Sequence, residues 1–224
     1  MAGPAIPANQ SLVDVPRIVK GVIDTIGRDG DAAVGQHSEK FDNWSPELFK
    51  LSEAEIEHAV SQVPTHIIQD IKDVQANVRR FAIAHKQSLR GFEIETAPGL
   101  FLGQRNNPVS AVGAYIPRGR YPLLASAHMA ILTAEMAGVK TAVACTPPAR
   151  GNIPNTTVAA MHFAGVDEIF ILGGVQAVAA IAVGTENVPK VDFIAARGTP
   201  LSPRQSASSM AKSASTSLPV RRRS

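Results

Sequence analysis

Short apolar runs rich in β-branched residues alternate with longer alanine-rich segments over residues 109–195. The short runs have the length of buried strands and the longer segments the length of helices. The predicted strands are Ala111–Ile116, Thr141–Cys145, Glu168–Leu172 and Val191–Ile194, and the predicted helices are Leu123–Ala137, Thr156–Ala164 and Val175–Val183. A glycine follows each helix, as is typical of helix C-termini. This alternation predicts an α/β fold, a Rossmann-like parallel sheet with helices on both faces.

Residues 1–108 show the spacing of amphipathic helices instead, so the sheet is predicted to follow a mostly helical N-terminal region. The predicted helices are Leu12–Ile26, Ala32–Phe41, Glu53–Val60 and Pro64 to about Gln87, and a short strand pair is predicted at Phe92–Glu95 and Leu100–Arg105. Ser52, followed three residues later by Glu55, has the pattern of a capping box. The apolar faces of these helices need another surface to cover.

Residues 196–224 differ from both preceding regions. They are rich in Ser, Arg and Pro, contain no aromatic residue and show no periodicity. This composition is typical of a disordered tail. The chain is therefore divided into a helical region at 1–108, a Rossmann-like nucleotide-binding domain at 109–195 and a disordered tail at 196–224.

Composition narrows the class of protein. Hydrophobic residues make up 45% of the 224 residues and charged residues 18%, as in a globular protein with a buried core. The formal net charge is +3, but three arginines stand at 221–223, so no nucleic-acid partner is expected. The first residues lack a signal-peptide pattern, and the apolar runs are too short to span a membrane. A single cysteine fits a reducing compartment, and a cytoplasmic protein is predicted.

Candidate binding residues stand where the predicted strands end, because parallel α/β sheets bind ligands beyond the carboxyl ends of their strands. The Gly173-Gly174 pair precedes a helix, so its backbone is expected to allow an anion close to the helix N-terminus. The pair lacks the G-x-G-x-x-G spacing and is by itself a weak dinucleotide signal. Tyr115, at the end of its strand, either stacks on a planar ligand or packs in the core.

Other reactive side chains form no catalytic or metal-binding pattern. Cys145 ends a predicted buried strand and is interpreted as a packed core thiol. His128 and His162 fall in helices over the sheet and are interpreted as structural. The six histidines are scattered without H-x-x-x-H spacing, so no zinc site local to this chain is expected. No catalytic and no metal-ligating residue is predicted.

Several long motifs occur together and in a fixed order. They include RDGDAAVGQHSEKFD, LSEAEIEHAV, AVGAYIPRG, YPLLASAHM, AGVDEIFILGGVQAVAAIAVGT and VDFIA. Together they resemble the histidinol dehydrogenase family, and the resemblance covers about Val13–Ala195. It implies an NAD-dependent, zinc-containing homodimer that oxidises L-histidinol through an aldehyde to L-histidine, in two hydride transfers. The nucleotide-contacting tyrosine and glutamine of that family correspond to Tyr115 and Gln176.

The chain departs from the family pattern in three places. Where the family has a Tyr-Val-Pro-Gly-Gly turn, this chain has Arg118 in place of the first glycine. An arginine there would be strained if its φ were positive. The helix beginning in YPLLASAHM is closer to a paralogous branch that acts on other diols, such as sulfopropanediol. The zinc ligands and the Glu-His proton-transfer pair of the family lie beyond the part that this chain resembles. Their absence predicts a truncated, inactive product with an incomplete sheet.

The abrupt change after Ala195 suggests a frameshift. If one nucleotide was lost there, adding it back shifts the reading frame of the codons for residues 196–224. With permitted codons, the shifted frame encodes GPGNAFVAEAKRQLYGKVGIDLPAGPTEV, which resembles the family throughout. The family's nucleotide-contacting asparagine would then fall at Thr199.

Two kinds of function remain open from the sequence. The chain is either an NAD-dependent enzyme of this family, acting on histidinol or another diol, or a non-catalytic nucleotide-binding remnant. In the family the N-terminal half packs against later sequence, so an apolar stripe is expected to be partly exposed here. The stripe comprises Ile67, Ile71, Val74 and Val78.

Overall fold

A computed structural model describes residues 15–118 and 122–196 of the protein. The helices are α1 Val15–Asp29, α2 Asp31–Asp42, α3 Glu53–Ser61, α4 Thr65–Ser88, α5 Leu124–Ala137, α6 Asn155–Phe163 and α7 Gly174–Val183. The strands are β1 Phe92–Ala97, β2 Leu100–Gln104, β3 Ala111–Tyr115, β4 Thr141–Thr146, β5 Glu168–Ile171 and β6 Phe193–Ala196. The elements predicted from the sequence are present with small shifts at their ends.

Four strands form one parallel sheet in the order β5-β4-β3-β6. Val112 of β3 pairs with Ala142 on one side and with Phe193 on the other. The connections run through α5, α6 and α7, so β3, β4 and β5 are each followed by a crossover helix, as parallel pairing requires. The predicted α/β class, with a Rossmann-like parallel sheet and flanking helices, is confirmed.

Both faces of the sheet are buried, because alternate residues of the central strands enter two different cores. Ala142 and Ala144 of β4 face a core formed with α3, α4, α5 and α6, whereas Val143 and Cys145 face one formed with α1, α2 and α7. This two-sided burial explains why the strands have continuous apolar sequences. The small side chains of β3 and β4 allow the helices to pack closely.

The helical N-terminal region supplies part of both cores. Ile26 and Val34, from α1 and α2, pack with α7, whereas Ile71 of α4 packs with α5 and α6. The segment before α3 also extends the edge of the sheet. Leu51 N donates to Ile169 O at 2.9 Å, and Ile171 N donates to the Phe49 carbonyl at 2.8 Å. The apolar faces of the N-terminal helices are thus buried by packing against the sheet and its flanking helices.

The predicted capping box at the start of α3 is present. Ser52 accepts a hydrogen bond from the backbone of Glu55, and the Glu55 carboxylate accepts one from Ser52 N at 2.8 Å. The C-terminal glycines also behave as predicted. Gly138 after α5 has φ 96°, and Gly184 after α7 has φ 82°, a region in which side chains are strained.

The stripe of α4 is covered more fully than the sequence led us to expect. Ile71 is buried, and Ile67 and Val78 pack against the core, because α5 and α6 lie over this face. Val74 is exposed as expected, with 46% of its surface accessible. Larger apolar exposure lies in the antiparallel hairpin of β1 and β2, where every residue is exposed.

The predicted disordered tail lies outside the described residues except for Ala196, which ends β6. Thr199 is likewise outside them. Within 15–118 and 122–196, no helix has both the length and the apolar character needed to cross a membrane.

Candidate nucleotide site at the carboxyl edge of the sheet

Three elements meet at the turn between β5 and α7. This turn contains Gly173 and Gly174, and Tyr115 reaches it from the end of the neighbouring β3. The Tyr115 hydroxyl accepts a hydrogen bond from Gly174 N at 3.0 Å. Asp42, the last residue of α2, reaches the turn from outside the sheet. Parallel strands bring their carboxyl ends to one edge, which explains why Tyr115 and the turn are adjacent.

Gln176 lies in the first turn of α7 and is fully buried. Its Nε2 donates to Asp42 Oδ2 at 2.8 Å. Its Oε1 is also buried, and it has no hydrogen-bond partner among the described residues. Buried polar atoms normally have partners, so this oxygen is an exception that needs a physical explanation.

Glycine is required at both positions of the turn. A Cβ on Gly173 would lie 2.6 Å from Pro147 Cβ and 2.7 Å from Asp42 Oδ2. Gly174 has φ 62°, and a Cβ there would lie 2.7 Å from Gln176 Oε1. The missing side chains let Asp42 and Gln176 approach the backbone closely, and this turn is the point where the polar groups converge.

Burial shifts the acidities of the two acidic groups in this cluster. The pKa of Asp42 is raised, chiefly because burial disfavours its charge. Interactions with the Gln176 side chain and the Gly173 backbone favour the carboxylate and partly offset this rise. Burial also raises the pKa of the Tyr115 phenol, with the negative charge of Asp42 adding to that effect. The tyrosine is therefore a neutral hydroxyl at physiological pH.

The structure brings together both residues predicted for the nucleotide site, Tyr115 and Gln176. Their contact with a cofactor stays a prediction. The backbone at the start of α7 is less open to an anion than the sequence suggested. Gly174 N is bound to Tyr115, and the Asp42 carboxylate lies against Gly173, so one donor is already occupied and a negative charge is already present at this end of the helix.

Sequence analysis missed Asp42, which is separated from Gln176 by 134 positions. A local signal was nevertheless present. Asp42 ends a helix, where the dipole disfavours a negative charge, and such a local conflict often marks a residue placed for another purpose.

Arg118 follows the same strand edge beyond Tyr115. Its Nη1 donates to Pro148 O at 3.2 Å, joining the ends of β3 and β4. Among described non-glycine residues, positive φ values occur at Asn43 and Arg150. The strain considered for Arg118 is not found there.

The remaining chemically reactive side chains lie apart from this turn or are shielded. Cys145 is fully buried, and burial raises the pKa of its thiol to about 12, as expected for a packed core thiol. His128 is buried, with Nδ1 accepting from Gln75 Nε2 at 3.1 Å, whereas His162 is exposed against Phe163. Within the described ranges, no three His, Cys, Asp or Glu side chains form a group that fits a metal ion.

Comparison with known proteins supports one family. The family model for histidinol dehydrogenase matches residues 7–200. The chain is 52% identical over 184 residues to a histidinol dehydrogenase homolog of Shouchella clausii, covering 82% of this chain and 43% of that protein. It is 39% identical over 186 residues to the sulfopropanediol 3-dehydrogenase of Ruegeria pomeroyi, covering 83% of this chain and 42% of that protein.

A solved structure agrees with these sequence relationships. The crystal structure of histidinol dehydrogenase from Elizabethkingia anophelis superposes with a TM-score of 0.77 at 30% identity, over 88% of this chain and 44% of that chain. The protein described here thus spans less than half the length of these relatives. The family-model match and the shared fold lead to one conclusion: the chain belongs to the histidinol dehydrogenase family.

Proposed function

We propose that the described part of the chain is the nucleotide-binding part of an NAD-dependent alcohol dehydrogenase, with Tyr115 and Gln176 contacting the cofactor. The observation that carries the proposal is the convergence of both side chains on the Gly173-Gly174 turn. Family membership and the position of the turn, at the carboxyl edge of a parallel sheet, support it.

Two features of the turn fit a dinucleotide. The buried Gln176 Oε1 has no partner within the described part of the chain, so a donor on a ligand would satisfy it. The glycines also bring the backbone, Asp42 and Gln176 together at one point, since a Cβ on either glycine would overlap protein atoms within 2.8 Å. In this proposal Tyr115 supplies an aromatic surface and a hydroxyl at the edge of the site.

The reaction follows from the family resemblance. A bound NAD⁺ would supply the hydride acceptor: one NAD⁺ would take a hydride from the alcohol carbon to give an aldehyde, and, after water adds to the aldehyde, a second NAD⁺ would take a hydride from the hydrate to give a carboxylate. The residues described here would bind and orient the nucleotide. No step through zinc is assigned to them, because they contain no group of side chains suited to hold it.

L-Histidinol is the first candidate substrate, as the family implies. A second candidate is a diol such as sulfopropanediol, supported by the similarity to the Ruegeria pomeroyi enzyme and by the YPLLASAHM segment at the start of α5. These substrates are distinguished by binding, measured by calorimetric titration of the NAD-loaded chain with each alcohol in turn.

Calorimetric titration of the full chain with NAD tests the binding proposal. Gln176→Ala and Tyr115→Phe should each weaken binding, by about tenfold, because each removes one polar contact of the site. Gln69→Ala is a matched control, since Gln69 is an exposed glutamine of α4 that bonds to Asp73. If NAD does not bind the wild type, or binds all three variants equally, the proposal is wrong.

Turnover separates an enzyme from a non-catalytic remnant. The resemblance places the zinc ligands and the proton-transfer pair beyond the matched segment, so we expect NAD binding without NADH formation. Metal analysis of the purified protein should accordingly find less than one zinc per chain. NADH formation with either alcohol would establish an active enzyme and contradict this part of the proposal.

The family resemblance also leads us to propose a homodimer with a small-molecule alcohol as its ligand and with no nucleic-acid or membrane partner. Its support in the fold is the exposed apolar hairpin of β1 and β2. Light scattering during size-exclusion chromatography tests the proposal, and a strictly monomeric chain at micromolar concentration would contradict it.

A further inference from the structure

The carboxylate of Asp42 determines which way the amide of Gln176 faces. A carboxylate only accepts hydrogen bonds, so the group 2.8 Å from Asp42 Oδ2 must be the amide nitrogen. Reversing the amide would place two oxygens together in a buried site. The orientation therefore follows from the chemistry of the pair, and it leaves Gln176 Oε1 beside Gly174.

That oxygen is unpaired and shielded from solvent. Among the described residues no donor contacts it, although Gln176 is fully buried. A buried acceptor without a partner lowers the stability of the free protein, and a ligand that donates to it recovers the loss. An orphaned acceptor at the candidate nucleotide site thus indicates a hydrogen-bond donor on the ligand.

The charge around the turn indicates which part of the ligand donates. The α7 N-terminus ordinarily favours a phosphate, but the Asp42 carboxylate, which lies against Gly173, already places negative charge there. The Gly174 N–H is bound to Tyr115. A phosphate would meet repulsion from Asp42 and would find the Gly174 donor already occupied, whereas a neutral hydroxyl or amine would meet an acceptor.

We infer that Asp42 is a positioning residue that orients the Gln176 amide, so that Gln176 Oε1 accepts a hydrogen bond from a neutral O–H or N–H group of the bound dinucleotide. The inference rests on the proposed function and deepens it. It places a ribose, an adenine amine or a nicotinamide carboxamide at the turn, and places the pyrophosphate elsewhere.

A double-mutant cycle in the full chain tests the positioning role. Asp42→Ala and Gln176→Ala should each weaken NAD binding about tenfold, and the double variant should be no weaker than Gln176→Ala alone. If Asp42 only stabilised α7, the two losses would multiply. Asp167→Asn is the matched control, because Asp167 binds Ala142 N at the opposite edge of the sheet and should leave NAD binding unchanged.

Competition experiments test the class of donor. If the donor is on the adenosine or ribose part of NAD, Asp42→Ala should also weaken the binding of adenosine or of ADP-ribose, each measured separately. If the donor is on nicotinamide, only the binding of NAD should weaken. Inorganic pyrophosphate should bind no more weakly to the variant. Tighter NAD binding by Asp42→Ala would mean that removing the charge admits a phosphate, and would overturn the assignment.

A readout without cofactor separates this inference from the proposed function. The side-chain amide protons of Gln176, observed by ¹⁵N NMR, should exchange with solvent at least about tenfold faster in Asp42→Ala than in wild type. If NAD fails to bind but exchange accelerates, the proposed function is wrong and the positioning role stands. If NAD binds and neither exchange nor affinity responds to Asp42→Ala, the positioning role is wrong and the proposed function stands.

Discussion

Two buried ionisable side chains, Cys145 and His128, are favoured in their neutral forms. Cys145 lies in the core between the sheet and α7, and burial raises the pKa of its thiol to about 12. Burial lowers the pKa of His128 on the opposite side of the sheet. The cause is the same in both cases, since a low-dielectric interior disfavours the charged form. The reactivity of the Cys145 thiol and the protonation of His128 therefore depend on whether the helices stay packed against the sheet.

We predict that Cys145 is unreactive in the native protein. With a thiol pKa of about 12, the thiolate fraction at pH 8 is only about 10⁻⁴. Modification by a chromogenic disulfide reagent should be at least about 100-fold slower in buffer than in guanidinium chloride. Comparable rates in the two solutions would show that the core opens readily.

The protein should lose stability as the pH falls below the ordinary histidine range. Burial depresses the pKa of folded His128, so its contribution is present above about pH 6.5, the unfolded value, and is lost as the pH falls through the folded pKa. Protonation at Nδ1 would also break the hydrogen bond from Gln75. Urea unfolding of His128→Gln between pH 7 and pH 5 should show a flatter pH dependence than the wild type. His162→Gln, on the exposed side of α6, should keep the wild-type slope.

Individual elements begin and end as their local sequences specify, but the turn into α7 depends on its neighbours. The capping box of Ser52 and Glu55 is complete within four residues of sequence. Gly173, in contrast, has an ordinary φ of −109°, so its own backbone does not require glycine. The requirement comes from Pro147 and Asp42, which lie far away in sequence.

This contrast predicts opposite outcomes for two glycine substitutions. Gly173→Ala should lower the free energy of unfolding by about 1–3 kcal/mol, because its Cβ would overlap Pro147. Gly21→Ala, in the middle of α1 with nothing within 4 Å of its Cβ, should raise it by about 0.5–1 kcal/mol. Chemical denaturation of both variants provides the measurement. A neutral Gly173→Ala would show that the turn is more open than described.

For the molecule as a whole, the β1–β2 hairpin stands out because every residue of its two strands is exposed. Its apolar side chains are more than half accessible: Phe92, Ile94, Leu100, Phe101 and Leu102. A two-stranded hairpin has little stability of its own in water. Contiguous apolar exposure of this kind marks an interaction surface or an aggregation liability.

We predict that the hairpin binds hydrophobic dyes or mediates self-association. Ile94 and Leu102 are direct cross-strand partners, so the double variant Ile94→Thr/Leu102→Thr should lower dye fluorescence and reduce association. Val74→Thr, an exposed valine of α4, is the control and should change neither. A wild-type protein that is monomeric and does not bind the dye would contradict the prediction.

The change of composition after Ala195 leads to a prediction about the gene. The family-model match ends at residue 200. Resequencing around the Ala195 codon should find family-like sequence in the neighbouring frame downstream. Its absence from that frame would exclude the frameshift.

The sequence by itself determined the order and type of the elements, and two residues of the candidate site. Helix and strand periodicities, the capping box and the glycines after α5 and α7 act over a few neighbouring residues, so they can be recognised locally. Tyr115 and Gln176 were found because the resemblance names them and because strand ends of a parallel sheet share one edge.

Only the tertiary structure decided how the N-terminal helices pack and what surrounds Gln176. The pairing of Asp42 with Gln176 joins residues 134 positions apart, and it depends on α2 docking beside α7. The covering of Ile71 by α5 and α6 depends in the same way on the docking of α4. Periodicity identifies the apolar face of a helix but not the surface that it covers, because many surfaces bury the same area with similar free energy.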